Sequence, residues 1–176
     1  MSSAPLTAFA RHFASLQDPR HPRTRKHPLT NVLVIGLCAV IAGAKHFTQM
    51  EAFGLAKRDW LATFLDLRNG IPSHDVFNAV FARLLPEAFE RALLSWVTAL
   101  HEISDGQILA IDGKTLRGSY RPGDSKALIH MVSVWATANH LSLGSTVVDE
   151  KSNEITAIPR LLELIDVSGG LNRNRQ

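Results

Sequence analysis

Gln107-Ile108-Leu109-Ala110-Ile111-Asp112-Gly113-Lys114-Thr115-Leu116-Arg117-Gly118-Ser119 is the stretch at which the pattern of this chain changes. Upstream of it, apolar residues recur every three or four positions, the period of helices with one buried face. Gly106 to Asp112 is instead a short apolar run of β type, bounded by glycine and ending in a carboxylate. Ala127 to Ala138 and Leu141 to Val148 are further extended candidates, joined across Asn139-His140. Strands separated by such short gaps predict an antiparallel three-strand meander. Glu154 to Ile165 then returns to helical spacing through Ile155, Ile158, Leu161, Leu162 and Ile165. The expected fold class is therefore α+β, with the boundary near residues 103–106.

Working back from that boundary, the periodic segments all read as helices. Pro86 suits the first turn of a helix that runs to about Ile103, because its missing amide costs nothing there. That helix turns Phe89, Leu93, Trp96, Val97 and Leu100 inward. Ser73 is placed to cap a helix striped by Val76, Phe77, Val80, Phe81 and Leu84, after a turn at Arg68-Asn69-Gly70-Ile71-Pro72. Helices are predicted at about 48–58 and 59–67, the second with Trp60, Leu61, Phe64 and Leu65 on one face. Thr30 or Asn31 can cap the apolar helix through Val32 to Ala44, and Phe9, Phe13 and Leu16 mark a helix near the start. That apolar run is shorter than the roughly 20 residues a membrane span requires, so it is expected to be a core helix and no membrane is expected as a partner.

The composition, 45% hydrophobic and 20% charged over 176 residues, is that of a folded chain able to build a core. Charge is placed unevenly. Residues 1–30 hold Arg11, Arg20, Arg23, Arg25 and Lys26 against Asp18 alone, while the rest holds 14 basic and 15 acidic side chains. Four of those five cations fall within Arg20-His21-Pro22-Arg23-Thr24-Arg25-Lys26-His27-Pro28, where the prolines forbid a regular helix. An extended basic segment of this kind suits an anionic partner, such as a nucleic-acid backbone. The lone Cys38 sits among apolar neighbours and is expected to be a packed, inert thiol. Phosphate-binding Gly-rich loops, nucleophile elbows and dinucleotide fingerprints are absent, which excludes the common nucleotide enzymes.

Asp112 closes an apolar strand, so a fold could hold it rigidly as a ligand for hard Mg²⁺, with Lys114 and Arg117 facing substrate phosphates. The same spacing also describes a type I turn beside two solvated bases. Glu154 reads better as the acidic start of a helix capped by Ser152 or Asn153 than as a second ligand. His12, His21 and His27 show no zinc-like spacing and read as solvated or phosphate-facing. The helices around 59–84 read either as a helix-turn-helix exposing His74, Asn78 and Arg83 or as an ordinary hairpin in a bundle.

Three motifs, Gly70-Ile71-Pro72-Ser73-His74-Asp75, Ile111 to Ser119, and Glu150-Lys151-Ser152-Asn153-Glu154-Ile155, together resemble the H-repeat-associated, or ISAs-type, DDE transposases of bacterial insertion sequences. The likeness runs from about Phe9 to Gly169 with the motifs in family order. It implies a helical transposase-associated domain over residues 1–104, the start of a ribonuclease-H-like catalytic domain over 105–168, and a divergent tail over 169–176. It makes Asp112 the first metal-binding carboxylate of the family's catalytic set, for Mg²⁺ or Mn²⁺, in place of the turn reading. The family continues past Asp166 into a strand with a second catalytic aspartate, whereas this chain reads Gly169-Gly170-Leu171-Asn172-Arg173-Asn174-Arg175-Gln176. On that basis the chain is expected to be a truncated transposase, unable by itself to bind metal productively or to cleave DNA. The expected partners are DNA, as transposon ends and target, and further copies or the full-length transposase, in a cytoplasmic, nucleoid-associated setting. The phosphate contacts are expected from Arg20, Arg23, Arg25, Lys26, Lys114 and Arg117. Two rival readings are a DNA-binding module derived from a transposase and a helical interaction domain.

Overall fold

The computed structural model describes residues 4–103 and 126–138, which form seven α-helices and one 3₁₀ turn. In chain order these are α1 (Ala4–Phe13), the 3₁₀ turn Pro22–Thr24, α2 (Leu29–Ile41), α3 (Phe47–Ala56), α4 (Arg58–Leu61), α5 (His74–Phe81), α6 (Pro86–Ile103) and α7 (Ala127–Ala138). The organising element is α2. From Asn31 to Ile41 every residue except the half-buried Cys38 is buried, as expected for a helix apolar on all sides. Its neighbours α3, α5 and α7 cover different parts of its surface. Burial pushes the Cys38 thiol up to about 12, so it is the inert group the sequence suggested.

Two glycines make this packing possible. A Cβ on Gly36 would lie 2.6 Å from Phe81 Cζ, so only glycine lets α5 set its aromatic ring directly against the α2 backbone. Gly43, at φ +92°, ends α2 in a Schellman motif. Its amide donates to the Val40 carbonyl and that of Ala44 to the Ala39 carbonyl, both at 2.9 Å.

A second apolar layer joins α1, α6 and α7 through aromatic side chains. Phe9 and Phe13 stack at 4.3 Å between ring centroids, and Phe9 meets Trp96 of α6 edge-on at 5.4 Å. Trp96 in turn lies 5.4 Å from Trp135 of α7. His12 and Ser95 add a side-chain hydrogen bond of 2.8 Å between α1 and α6.

Several expectations need correction. Residues 127–138 are a helix, not the middle strand of a meander. Leu128, Ile129, Met131, Val132 and Trp135 are buried while His130 is exposed, a helical spacing hidden within an almost wholly apolar run. The α2 cap is also different: Pro28 occupies the N-cap position, and Asn31 is buried in the first turn with its side chain directed elsewhere. The predicted helix at 59–67 shortens to Arg58–Leu61, followed by turns that leave Leu65 buried and Phe64 half-buried. The strands expected at 106–112 and 141–148, the helix at 154–165 and the boundary near 103–106 lie outside the described residues.

Ser73 does occupy the N-cap of α5, but its side chain makes no capping bond. Glu51 of α3 performs that task, its Oε2 accepting from the His74 amide at 2.8 Å and lying 2.7 Å from His74 Nδ1. Accepting the backbone bond from His74 holds the Glu51 carboxyl below its ordinary value. The side-chain bond to Glu51, with Asp75 nearby, raises the His74 pKa. The histidine contribution is therefore full below its ordinary value of 6.5 and is lost as pH rises through the raised one. The carboxylate contribution is present above 4.5 and is lost as pH falls through the lowered value. The start of α5 should be anchored best between those two pH values. An NMR titration should place the His74 midpoint above 6.5 and return it toward that value in Glu51→Gln. A midpoint at or below 6.5 in the parent chain would contradict the pairing.

Candidate nucleic-acid interface

Loop 18–28 carries the concentrated positive charge, and its own side chains give it a fixed shape. Arg20 forks onto Asp18, with Nε 2.9 Å from Oδ1 and Nη2 2.7 Å from Oδ2. The Arg20 amide also donates to Asp18 Oδ1 at 3.0 Å, and Nη2 reaches across the loop to the His27 carbonyl at 2.8 Å. Arg25 closes the other side, donating from Nε to the Arg20 carbonyl at 2.9 Å and from Nη2 to the Asp18 carbonyl at 3.0 Å. His21 starts the 3₁₀ turn, its Nδ1 accepting from the Arg23 amide, and Pro22 occupies the first position. Burial alone would raise the Asp18 pKa, but hydrogen bonds from Arg20 and the charges of Arg20 and Arg25 hold it below its ordinary value.

This arrangement divides the four expected DNA-contacting cations into two groups. The Arg20 side chain is only 4% exposed and its Nη1 is buried without a partner among the described residues, so this residue shapes the loop and is not presented to solvent. It is turned inward because within two residues it meets a carboxylate that charge counting treats as a mere subtraction. Arg25 is 39% exposed and partly engaged by backbone carbonyls. Arg23 and Lys26 are exposed, and among the described residues neither side chain makes a hydrogen bond or an ion pair. His27 is half-buried, and burial together with Arg20 and Lys26 lowers its pKa. Burial, helped by Arg11, does the same for His12, which faces Ser95.

The loop is docked on the turn that precedes α5. Asn69 donates from Nδ2 to the Lys26 carbonyl, and Asn31 Nδ2 donates to the Asp66 carbonyl at 2.8 Å. Sequence reading did not reveal this junction, because its partners lie 43 and 35 residues apart. Asn78 of α5 and Arg83 of the turn after it are exposed as the helix-turn-helix alternative requires, but His74 is engaged by Glu51. Arg83 also lines a groove of about 370 Å³ with Gln17, Asp18 and Leu85. Among the described residues no three His, Cys, Asp or Glu side chains gather to hold a metal. Asp112, Lys114 and Arg117 lie outside those residues.

The described residues thus form a helical module bearing a braced basic loop, a surface that suits an anionic partner. Comparison with known proteins makes the assignment specific: the DDE_Tnp_1-associated family matches residues 10–97, and the chain belongs to it, among the H-repeat-associated transposases. Two proteins named "Putative transposase YncI" are similar. The one from Escherichia coli O157:H7 is 42% identical over 160 residues, covering 91% of this chain and 41% of that protein. The one from Escherichia coli K12 is 45% identical over 148 residues, covering 84% and 60%. "H repeat-associated putative transposase YhhI" of Escherichia coli K12 is 38% identical over 164 residues, covering 93% and 43%. The chain thus spans about half the length of the relatives it matches. No solved structure matches it. Among the described residues no helix is long and apolar enough to cross a membrane.

Proposed function

We propose that this chain is the DNA-engaging N-terminal part of a DDE transposase, and that loop 18–28 holds the phosphate backbone of transposon-end or target DNA. The carrying observation is the braced loop, which directs the Arg23 and Lys26 side chains outward while Arg20 and Asp18 fix the backbone behind them. Contacts of this kind position a protein on DNA and carry little sequence information. Residues 105–168 would begin the ribonuclease-H-like catalytic domain. Asp112 would be the first carboxylate for Mg²⁺ or Mn²⁺, and Lys114 and Arg117 would face the substrate phosphates. The setting is cytoplasmic, at the nucleoid.

The test is the salt dependence of binding between the 176-residue chain and a short random-sequence DNA duplex. Each phosphate contact contributes about 0.9 to the slope of log affinity against log salt. Replacing Arg23 and Lys26 together by alanine should therefore flatten the slope by about 1.8. Neither side chain is tied to the fold, so the unfolding midpoint should stay at its parent value. An unchanged slope would place the DNA contact elsewhere.

A further inference from the structure

The turn before α5 is fixed from two directions, and Arg68 lies between its anchors. Asn69 is bonded to the Lys26 carbonyl and the Asp66 carbonyl is bonded to Asn31, so Arg68 is held beside the basic loop. Its guanidinium is 77% exposed and pairs with the Asp66 carboxylate, itself 52% exposed. So open a pair is held weakly against solvent and salt. A phosphate group offers Arg the same two-oxygen geometry as a carboxylate and can take its place. The turn need not move when that happens, because Asn31 holds the backbone carbonyl of Asp66 and not its carboxylate. The Arg68 amide, 3.2 Å from Asp66 Oδ1, keeps the carboxylate in position as the guanidinium leaves.

We propose that Arg68 belongs to the same phosphate-binding strip as Arg23 and Lys26, with Asp66 as its exchangeable counter-ion in the free protein. The inference rests on the DNA-binding reading of the loop and extends it across a junction of two distant segments. Binding moves Arg68 from Asp66 to a backbone phosphate, at the cost of leaving one acid beside the DNA. Asp66 thus lowers affinity for any polyanion, and its removal strengthens binding.

The experiment measures binding of Arg68→Ala and Asp66→Asn, in the 176-residue chain, to the same random-sequence duplex across a salt series. Arg68→Ala should flatten the slope by about 0.9, so that its deficit against the parent chain is greatest at low salt. Asp66→Asn should bind more tightly than the parent chain at every salt concentration. Both variants should keep the parent unfolding midpoint, since a purely structural role for Arg68 would shift melting and leave the slope alone. An unchanged slope in Arg68→Ala, or unaltered or weaker binding in Asp66→Asn, overturns the inference. If the Arg23 and Lys26 double variant flattens the slope while Arg68→Ala does not, only this extension fails. If neither does, the reading of the loop fails with it.

Discussion

Asp18→Ala should destabilise the fold by about 3 kcal/mol, read as a shift in the denaturant midpoint at unchanged slope. The Arg20 side chain is 4% exposed and directs both Nε and Nη2 at Asp18, so truncation leaves a buried guanidinium with one carbonyl partner. Breaking a buried pair on one side costs about 3–5 kcal/mol, because the surviving charge remains desolvated. The low end applies because Asp18 keeps 12% of its side chain in solvent. Asp18→Asn should lose less, since it retains an acceptor for Arg20 Nε. A loss below about 1 kcal/mol would be that of an ordinary surface ion pair and would refute the bracing role. DNA binding provides a second reading. Removing an acid next to cations should by simple electrostatics tighten binding, whereas loss of the brace disperses Arg23 and Lys26 and should weaken it.

Trp96→Ala should be more damaging still, costing about 4 kcal/mol. The indole is 3% exposed and is the common neighbour of Phe9, Phe13 and Trp135. Its removal leaves a cavity where α1, α6 and α7 meet, and none of the three can close it without losing contact with another. Against the 5–15 kcal/mol typical of a whole domain, such a loss is a large fraction. Phe9→Ala, which disturbs chiefly the α1 side, should cost less. Equal effects for the two would indicate that α7 contributes nothing to this cluster.

The helical part was largely legible because its signals are local. Pro86 marked the start of α6, and the Phe9, Phe13 and Leu16 spacing marked α1 together with the buried turn after it. Ala127 to Ala138 hides its helical period because nearly every residue in it is apolar. A run of that kind has no polar face to betray its period, and 12 residues with helix-favouring Ala and Met should have weighed against a strand. The candidate interface was legible in location but not in division of labour. Counting charge found residues 20–26, yet it could not see that Arg20 is consumed by Asp18. Nor could it show that Glu51, 23 residues from His74, does the capping expected of Ser73, or that Asn69 brings Arg68 to the loop. Each of these depends on the tertiary path of the chain, to which local propensity is blind.

The burial of α2 has a consequence for how the chain is made. A helix with no polar side must find partners in a particular order, and these emerge at very different times. The residues of α3 and α5 follow within 40 positions, but α7 begins about 85 residues after α2 ends. At ribosomal rates of roughly 5–20 residues per second, the side of α2 that α7 will cover waits about 4–17 s after α2 itself is synthesised. During that interval the nascent chain presents a greasy stripe to solvent, the kind of surface that chaperones shield and that drives aggregation. Chains ending between residues 104 and 126 should therefore be less soluble than the 176-residue chain, although they contain all of α1 to α6.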